Sequence, residues 1–275
     1  MNNIGILYVG IGEYIRFWND FYTSCEDKFC ASSKKHYFIV TDSKKSFPSN
    51  VSVVHQDDLG WPGNVTFRYL FFLRIKDELE KYDYVFFFNS NTRFRQPVTE
   101  EEFLPTDKEG GLIALTWKEG IEDTDKFGFE RRPESAAYIP YGTKSLYLQS
   151  GITGGKPREY IKLLEECHQL TMTDVVNGIT PVAHDESIYN KYMLNCKYKL
   201  LKSTYGLPSQ WDNSDNAKII FLKKEKVLGH NYLRVYKRRP HTNTILRKFM
   251  RKLGLVKKEN INSLIYDFHE AVDNT

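Results

Sequence analysis

Two hydrophobic periods alternate along most of this chain. Ile4 to Val9, His36 to Val40 and Tyr84 to Phe88 are short apolar runs bounded by turn residues, and each reads as a strand buried on both faces. Val51 to His55 is a further short strand candidate. Between these runs the spacing becomes helical: Tyr14 to Phe29 is amphipathic, and Val65 to Lys81 has helical spacing at Tyr69, Phe72, Leu73, Lys76 and Leu79. Further on, Leu112 to Thr116 and Ser145 to Thr153 read as strands, Pro157 to Met172 and Asp185 to Asn195 as helices. Strands that alternate with helices predict an α/β fold, with a parallel or mixed sheet covered on both faces.

No Pro, Gly or Ser-rich linker divides residues 1 to 235, and no internal repeat is present, so one domain is expected over 1–238. An extension over 239–275 follows. In it Ile245, Leu246, Phe249, Met250 and Leu253 share one helical face, opposite Arg247, Lys248, Arg251 and Lys252. That pattern suits either packing on the domain or contact with an anionic membrane surface.

The 275 residues are enough for one large core. No stretch approaches the run of about 20 apolar residues that a membrane span needs, and the N-terminus lacks a signal-like segment. A cytoplasmic protein is expected, with the extension either packed on the domain or in peripheral contact with the inner membrane face. Cys25, Cys30, Cys167 and Cys196 form no Cys-x-x-Cys pair and read as buried thiols, which speaks against zinc or redox chemistry. The formal charge of +4 hides an asymmetry: residues 221 to 258 carry thirteen Lys or Arg and one acid, Glu225, leaving 26 basic against 34 acidic residues elsewhere. The bland reading is a solvated basic face. The functional one is a segment that binds phosphate, which Lys and Arg do well.

Two clusters carry candidate chemistry. Asn89-Ser90-Asn91 directly follows the strand 84–88, at the sheet edge where α/β proteins place ligands. As amides these residues are poor partners for a hard divalent cation, and Asn is also a common turn residue. His184-Asp185-Glu186-Ser187 opens a helix after the turn-like Asn177-Gly178-Ile179-Thr180-Pro181. An acid there is either a structural cap or a carboxylate held in its charged form by the helix dipole, as a nucleophile or the stabiliser of an oxocarbenium-like centre must be.

Phe129-Glu130-Arg131-Arg132-Pro133-Glu134-Ser135-Ala136-Ala137-Tyr138-Ile139-Pro140, Gly154-Gly155, Glu166-Cys167-His168, Asn177-Gly178-Ile179 and His184-Asp185-Glu186-Ser187 stand in the order and spacing of glycosyltransferase family 6. From about Ile4 to about Arg234 the chain resembles this family, that of the histo-blood-group A and B transferases and the α-1,3-galactosyltransferases. The resemblance implies a GT-A fold, a UDP-sugar donor, retention of configuration, an oligosaccharide or glycolipid acceptor ending in a β-galactoside, and no nucleic-acid partner. Mammalian members carry Asp-Val-Asp and need manganese. This chain is similar instead to the bacterial branch with Asn-x-Asn, which implies no metal and no other cofactor.

Residue by residue, the resemblance makes Glu186 the carboxylate beneath the anomeric carbon, in reach of the acceptor too, and Asp185 the acid on the donor sugar. Asn89 and Asn91 match the metal-binding aspartates and are expected to hydrogen-bond the ribose or phosphate. Tyr14, with Val9 and Ile11, matches the uracil pocket, and Arg68 the donor-binding arginine. Gln149, Ser150 and Gly151 fall where the family tells galactose from its N-acetyl derivative, and the bare Gly151 predicts open room for an acetamido group. Trp211-Asp212 match an acceptor-binding pair, and Thr116 an acceptor-side histidine. Ala183 departs from the pattern, since the relatives have a tryptophan there. Lys226 and Arg234 are the candidates for an arm that closes over the diphosphate.

The leading expectation is a metal-independent retaining α-1,3-N-acetylgalactosaminyltransferase acting on UDP-N-acetylgalactosamine and a fucosylated galactoside. The alternatives are a transferase using UDP-galactose, a retaining glycosidase built on Glu186, and a silent sugar-nucleotide or glycan-binding module.

Overall fold

The computed structural model describes residues 1–117 and 128–229. The extension and its basic amphipathic stretch, together with Arg234, lie outside the described residues. The apolar runs form β1 (Asn3–Val9), β2 (Lys34–Thr41), β3 (Val51–His55) and β4 (Tyr84–Phe88), all parallel, in the order β3-β2-β1-β4. Beyond them β5 (Thr92–Phe94) leaves the main sheet, while β6 (Leu112–Leu115), β7 (Ile152–Gly155) and β8 (Lys199–Leu201) extend it as β4-β7-β6-β8. Strand β7 is antiparallel to both neighbours, which makes the sheet mixed. A second sheet joins β5 to β9 (Leu207–Pro208) and β10 (Ile219–Phe221), in the order β5-β10-β9.

Strand alternation sends Val85 and Phe87 to one face of the sheet and Phe86 and Phe88 to the other. The first face is covered by α3 (Arg68–Leu73), α4 (Lys76–Leu79), α6 (Pro157–Val176) and α7 (Asp185–Met193), with α2 (Gly60–Thr66) leading into α3. The second carries α1 (Trp18–Lys28) and α5 (Glu100–Phe103), where Phe21, Phe29, Phe86, Phe88, Phe94 and Phe103 pack ring against ring. A last short helix, α8 (Lys224–Leu228), rests on the 3-10 turn Gly12–Phe17. The result is one α/β domain of GT-A type, with a mixed sheet between helical layers. Strand β7 can enter between β4 and β6 only with glycine at its end: a Cβ on Gly155 would stand 2.0 Å from the carbonyl oxygen of Gly111.

Three sequence expectations change. The helix expected over 65–81 is three short helices, with breaks at Phe67 and Ile75, and the middle one buries Arg68, Tyr69, Phe71 and Phe72. The helix expected from Tyr14 begins as a 3-10 turn and becomes α-helical at Trp18. The strand expected over 145–153 begins only at Ile152. Before it the backbone is paired by side chains and an isolated bridge: Asn190 Oδ1 accepts from Leu148 N at 2.8 Å, Asn190 Nδ2 donates to Leu148 O at 2.7 Å, and Ser150 N donates to Glu186. Cys25, Cys30 and Cys167 are buried and Cys196 is half-buried, all four as free thiols.

Candidate active site

A cleft of about 580 Å³ opens where β1 and β4 end. Val9, Ile11 and Tyr14 line it beyond β1, Asn89 and Asn91 beyond β4, Arg68 on α3, Ser150 and Gly151 before β7, and Asp185 and Glu186 on α7. Segments distant in sequence thus meet in one place.

Helix α7 is set by its own first turn and by the chain before it. His184 takes a left-handed φ of 53°, its N–H donating to Pro181 O, and Ser187 Oγ accepts from Ala183 N at 3.0 Å. Glu130 and Arg132 hold the preceding turn from outside. Arg132 donates through Nε and Nη2 to the two oxygens of Glu130, at 2.8 and 2.6 Å, and its Nη2 also donates to Thr180 O. Glu130 in turn accepts from Val182 N at 2.9 Å. Burial raises the Glu130 pKa, but the Arg132 and backbone hydrogen bonds outweigh it and bring the carboxyl down to about 2.

Within that frame Glu186 is tightly oriented. Tyr147 OH donates to Oε1 at 2.7 Å and Ser150 N to Oε2 at 2.9 Å. Burial raises the pKa of Glu186, the Ser150 and Tyr147 bonds pull it back, and Asp185 adds a further upward push. The carboxylate is therefore costly in its charged form yet aligned as a charged group. Asp185 is buried beside Arg68, whose Nη2 lies 2.8 Å from Oδ2, and Ser150 Oγ donates to the same oxygen at 3.2 Å. Arg68 lies over the Phe87 ring, 4.4 Å from its centroid; desolvation works against its charge, but Asp185 outweighs it and the guanidinium stays protonated. Nη2 faces the Asp185 carboxylate, while Nε is buried without an aligned acceptor among the described residues. His184 lies against Trp61, ring centroids 4.6 Å apart; burial lowers its pKa, Asp185 opposes that, and the ring is neutral near neutral pH.

At the opposite wall, Asn89 Oδ1 accepts from Ser90 N at 3.2 Å. Asn91 Nδ2 donates to Leu222 O at 2.7 Å, while Asn91 Oδ1 is buried without a partner among the described residues. Neither amide offers the ionised oxygen that manganese favours. The strand that Asn91 grips runs on into Lys223 and Lys224, which line the cleft, and Lys224 Nζ stands 5.3 Å from the Tyr14 ring centroid.

Several expected site residues stand elsewhere. Gln149 and Thr116 are buried beneath the cleft and spent on structure: Gln149 Nε2 donates to Gly206 O at 3.1 Å, and Thr116 Oγ1 to Tyr147 O at 3.1 Å. Lys226 is exposed and does not line the cleft, because α8 buries Leu228 and turns Lys226 to solvent. Trp211 is exposed outside the lining, 6.0 Å from the Trp117 ring, and Asp212 is exposed at the start of a 3-10 turn. The open room expected at Gly151 is filled, since a Cβ there would meet the Phe221 ring at 2.8 Å. Sequence reasoning took Lys223 and Lys224 only as part of the basic stretch 221–258, and missed Tyr147, Asn190, Trp61, Trp117 and Phe221. Of these only Asn190 left a trace, one helical turn after Glu186.

The profile of glycosyltransferase family 6 matches residues 70–235. Among curated proteins, the O-antigen biosynthesis glycosyltransferase WbnI of Escherichia coli is 34% identical over 226 residues, which is 81% of this chain and 95% of that protein. Globoside alpha-1,3-N-acetylgalactosaminyltransferase 1 of Gallus gallus is 26% identical over 84% of this chain and 68% of its own length. Histo-blood group ABO system transferase 2 of Rattus norvegicus is 28% identical over 76% and 63% respectively. The chain belongs to glycosyltransferase family 6. It is accordingly a glycosyltransferase, with a nucleotide-sugar donor and a glycan acceptor. No helix among the described residues is long and apolar enough to cross a membrane.

Proposed function

We propose that the protein transfers N-acetylgalactosamine from UDP-N-acetylgalactosamine, with retention, in α-1,3 linkage to a fucosylated β-galactoside, and that it does so without a divalent cation. The observation that carries this reading is the pairing of Glu186 with Tyr147 OH and Ser150 N–H beside the Asp185–Arg68 ion pair. This geometry suits the stabilisation of positive charge on an anomeric carbon. The bond from that carbon to the UDP oxygen breaks, with its electrons leaving on UDP, as the acceptor hydroxyl oxygen bonds to the same face and its proton passes to the departing UDP oxygen. Ionised Glu186 faces the carbon that becomes positive, and Asp185 and Arg68 are placed to hold hydroxyls of the sugar.

Lys223, Lys224 and Arg68 supply the charge that faces the diphosphate, in place of a metal ion. The relatives named for α-1,3-N-acetylgalactosaminyl and histo-blood-group transfer support the sugar and the acceptor class. A glycosidase is disfavoured, because it needs a second carboxylate about 5 Å from the first and across the sugar. Asp185 is the neighbour of Glu186 in the first turn of α7, so the two do not flank the sugar. A silent module has no use for a buried carboxylate whose charged form is held by two directed donors.

Incubation with UDP-N-acetylgalactosamine and a fucosylated galactoside in excess EDTA, read by mass spectrometry and by the anomeric proton coupling of the product, tests each part. An N-acetylhexosamine adduct with an α linkage is expected. Product only from UDP-galactose would move the reading to a galactosyltransferase, and product only with added manganese would remove the metal-independent part.

A further inference from the structure

We infer that Phe221 is the wall that reads the substituent on the second carbon of the transferred sugar, favouring an acetamido group over a hydroxyl, and that residue 151 acts on donor choice through this ring. The inference rests on the donor site proposed above.

The backbone at Ser150 and Gly151 is the wall nearest the reacting carbon, because Ser150 N–H is one of the two donors that fix Glu186. What covers Gly151 therefore shapes the sugar pocket. The covering group is Phe221. A Cβ built on Gly151 would lie 2.8 Å from Phe221 Cζ and 3.2 Å from Cε1, and one built on Gly206 would lie 3.2 Å from Cε2. Two glycines from separate segments thus leave room for one ring. Trp117 stands on a further side with its centroid 6.1 Å away, and the 7% of Phe221 that stays exposed belongs to a residue that lines the cleft.

The ring is not free to withdraw. Phe221 pairs with Thr92 across the small sheet, its carbonyl accepts from Ser209 N at 2.9 Å, and the next residue, Leu222, is held on both sides by Asn91. An immobile aromatic wall suits the methyl of an acetamido group and offers no partner to a hydroxyl, which would lose hydration there without gaining a hydrogen bond. A methyl added at residue 151 has to push against this ring before it reaches any ligand.

The test is a double-mutant cycle on Gly151→Ala, Phe221→Leu and the pair, each read as the ratio of kcat/KM for UDP-N-acetylgalactosamine over UDP-galactose and as the ratio of the two affinities by calorimetry. Phe221→Leu should lower the ratio about tenfold, the scale of one methyl contact in an apolar pocket. Gly151→Ala should lower it as well, and the double variant should match Phe221→Leu alone, because a leucine at 221 yields to the added methyl. Single effects that multiply in the double variant, an unchanged ratio in Phe221→Leu, or a raised one, would each overturn the inference. Should Phe221→Leu not fold, Phe221→Met takes its place under the same criteria. If the wild-type protein binds neither nucleotide sugar, the donor site and the inference fall together; if it binds both and the ratio does not move, only the inference falls.

Discussion

Asn91 and Leu222 exchange two hydrogen bonds, Asn91 Nδ2 donating to Leu222 O and Leu222 N donating to Asn91 O, each at 2.7 Å. The position that the resemblance assigns to a metal-binding carboxylate is here a clasp between the end of the main sheet and the segment that carries Lys223 and Lys224. The amide is needed for that task, since a carboxylate at 91 would set its oxygen against the Leu222 carbonyl.

Asn91→Asp should therefore destabilise the protein by about 1–3 kcal/mol, the scale for a buried acceptor that loses its donor, and should weaken donor binding as well. Thermal unfolding and calorimetry read the two effects. A variant with wild-type melting temperature that gains manganese-dependent activity would show the clasp to be incidental.

Glu186→Gln retains size and hydrogen-bonding capacity but removes the charge opposite the anomeric carbon. Turnover should drop at least about a hundredfold with donor affinity nearly unchanged. Near-normal turnover would place the catalytic centre elsewhere.

Activity should also fall with acid at a pH above that of an ordinary glutamate. Glu186 has a raised pKa, first through burial, and only its ionised form stabilises positive charge. Tyr147 OH favours that ionised form, so Tyr147→Phe should move the acid limb of the kcat profile to still higher pH. An acid limb that stays in place in this variant would show that Tyr147 has no part in setting the charge.

Lys223→Ala with Lys224→Ala should weaken UDP-sugar binding on the order of a hundredfold, as expected for the loss of two charge-assisted contacts, with or without EDTA. Lys226→Ala should stay within about twofold, because Lys226 faces solvent. The reverse ranking in a calorimetric titration would return the phosphate contact to Lys226.

Glu130 gives a pH dependence of the opposite kind. Its folded pKa is depressed, to about 2, so its contribution to stability is complete above the ordinary glutamate range and is lost as pH falls toward 2. Glu130→Gln should remove this dependence and cost about 1–2 kcal/mol, because the buried Glu130 loses its charge opposite a half-exposed Arg132. It should also lower kcat more than donor affinity, because the turn over 180–182 that leads into α7 loses its anchor. Equal acid sensitivity of variant and wild type in melts between neutral pH and the acid range would disprove the role given to Glu130.

The period of the apolar residues was sufficient to predict an α/β fold, because runs such as Tyr84 to Phe88 must be buried on both faces whatever their function. The string His184-Asp185-Glu186 and its helix were likewise legible, since a helix start is a local matter of capping and turn residues. Where pairing is made by partners far along the chain, local pattern fails. Residues 145–151 look like a strand yet are held by Asn190 and Glu186 from α7, and residues 65–81 look like one helix yet break at Phe67 and Ile75. The site divides in the same way. That Asn89 and Asn91 are amides could be read at once, but that Asn91 is a clasp, that Lys223 and Lys224 rather than Lys226 line the cleft, and that Phe221 fills the space beside Gly151 follow from long-range contacts. The sequence by itself determined which residue types are available for charge, hydrogen bonding and burial. Which of them face the cleft was decided only by the packing of β4, β7, β10 and α7 against one another, since a side chain's direction there depends on partners from 36 to 131 residues away.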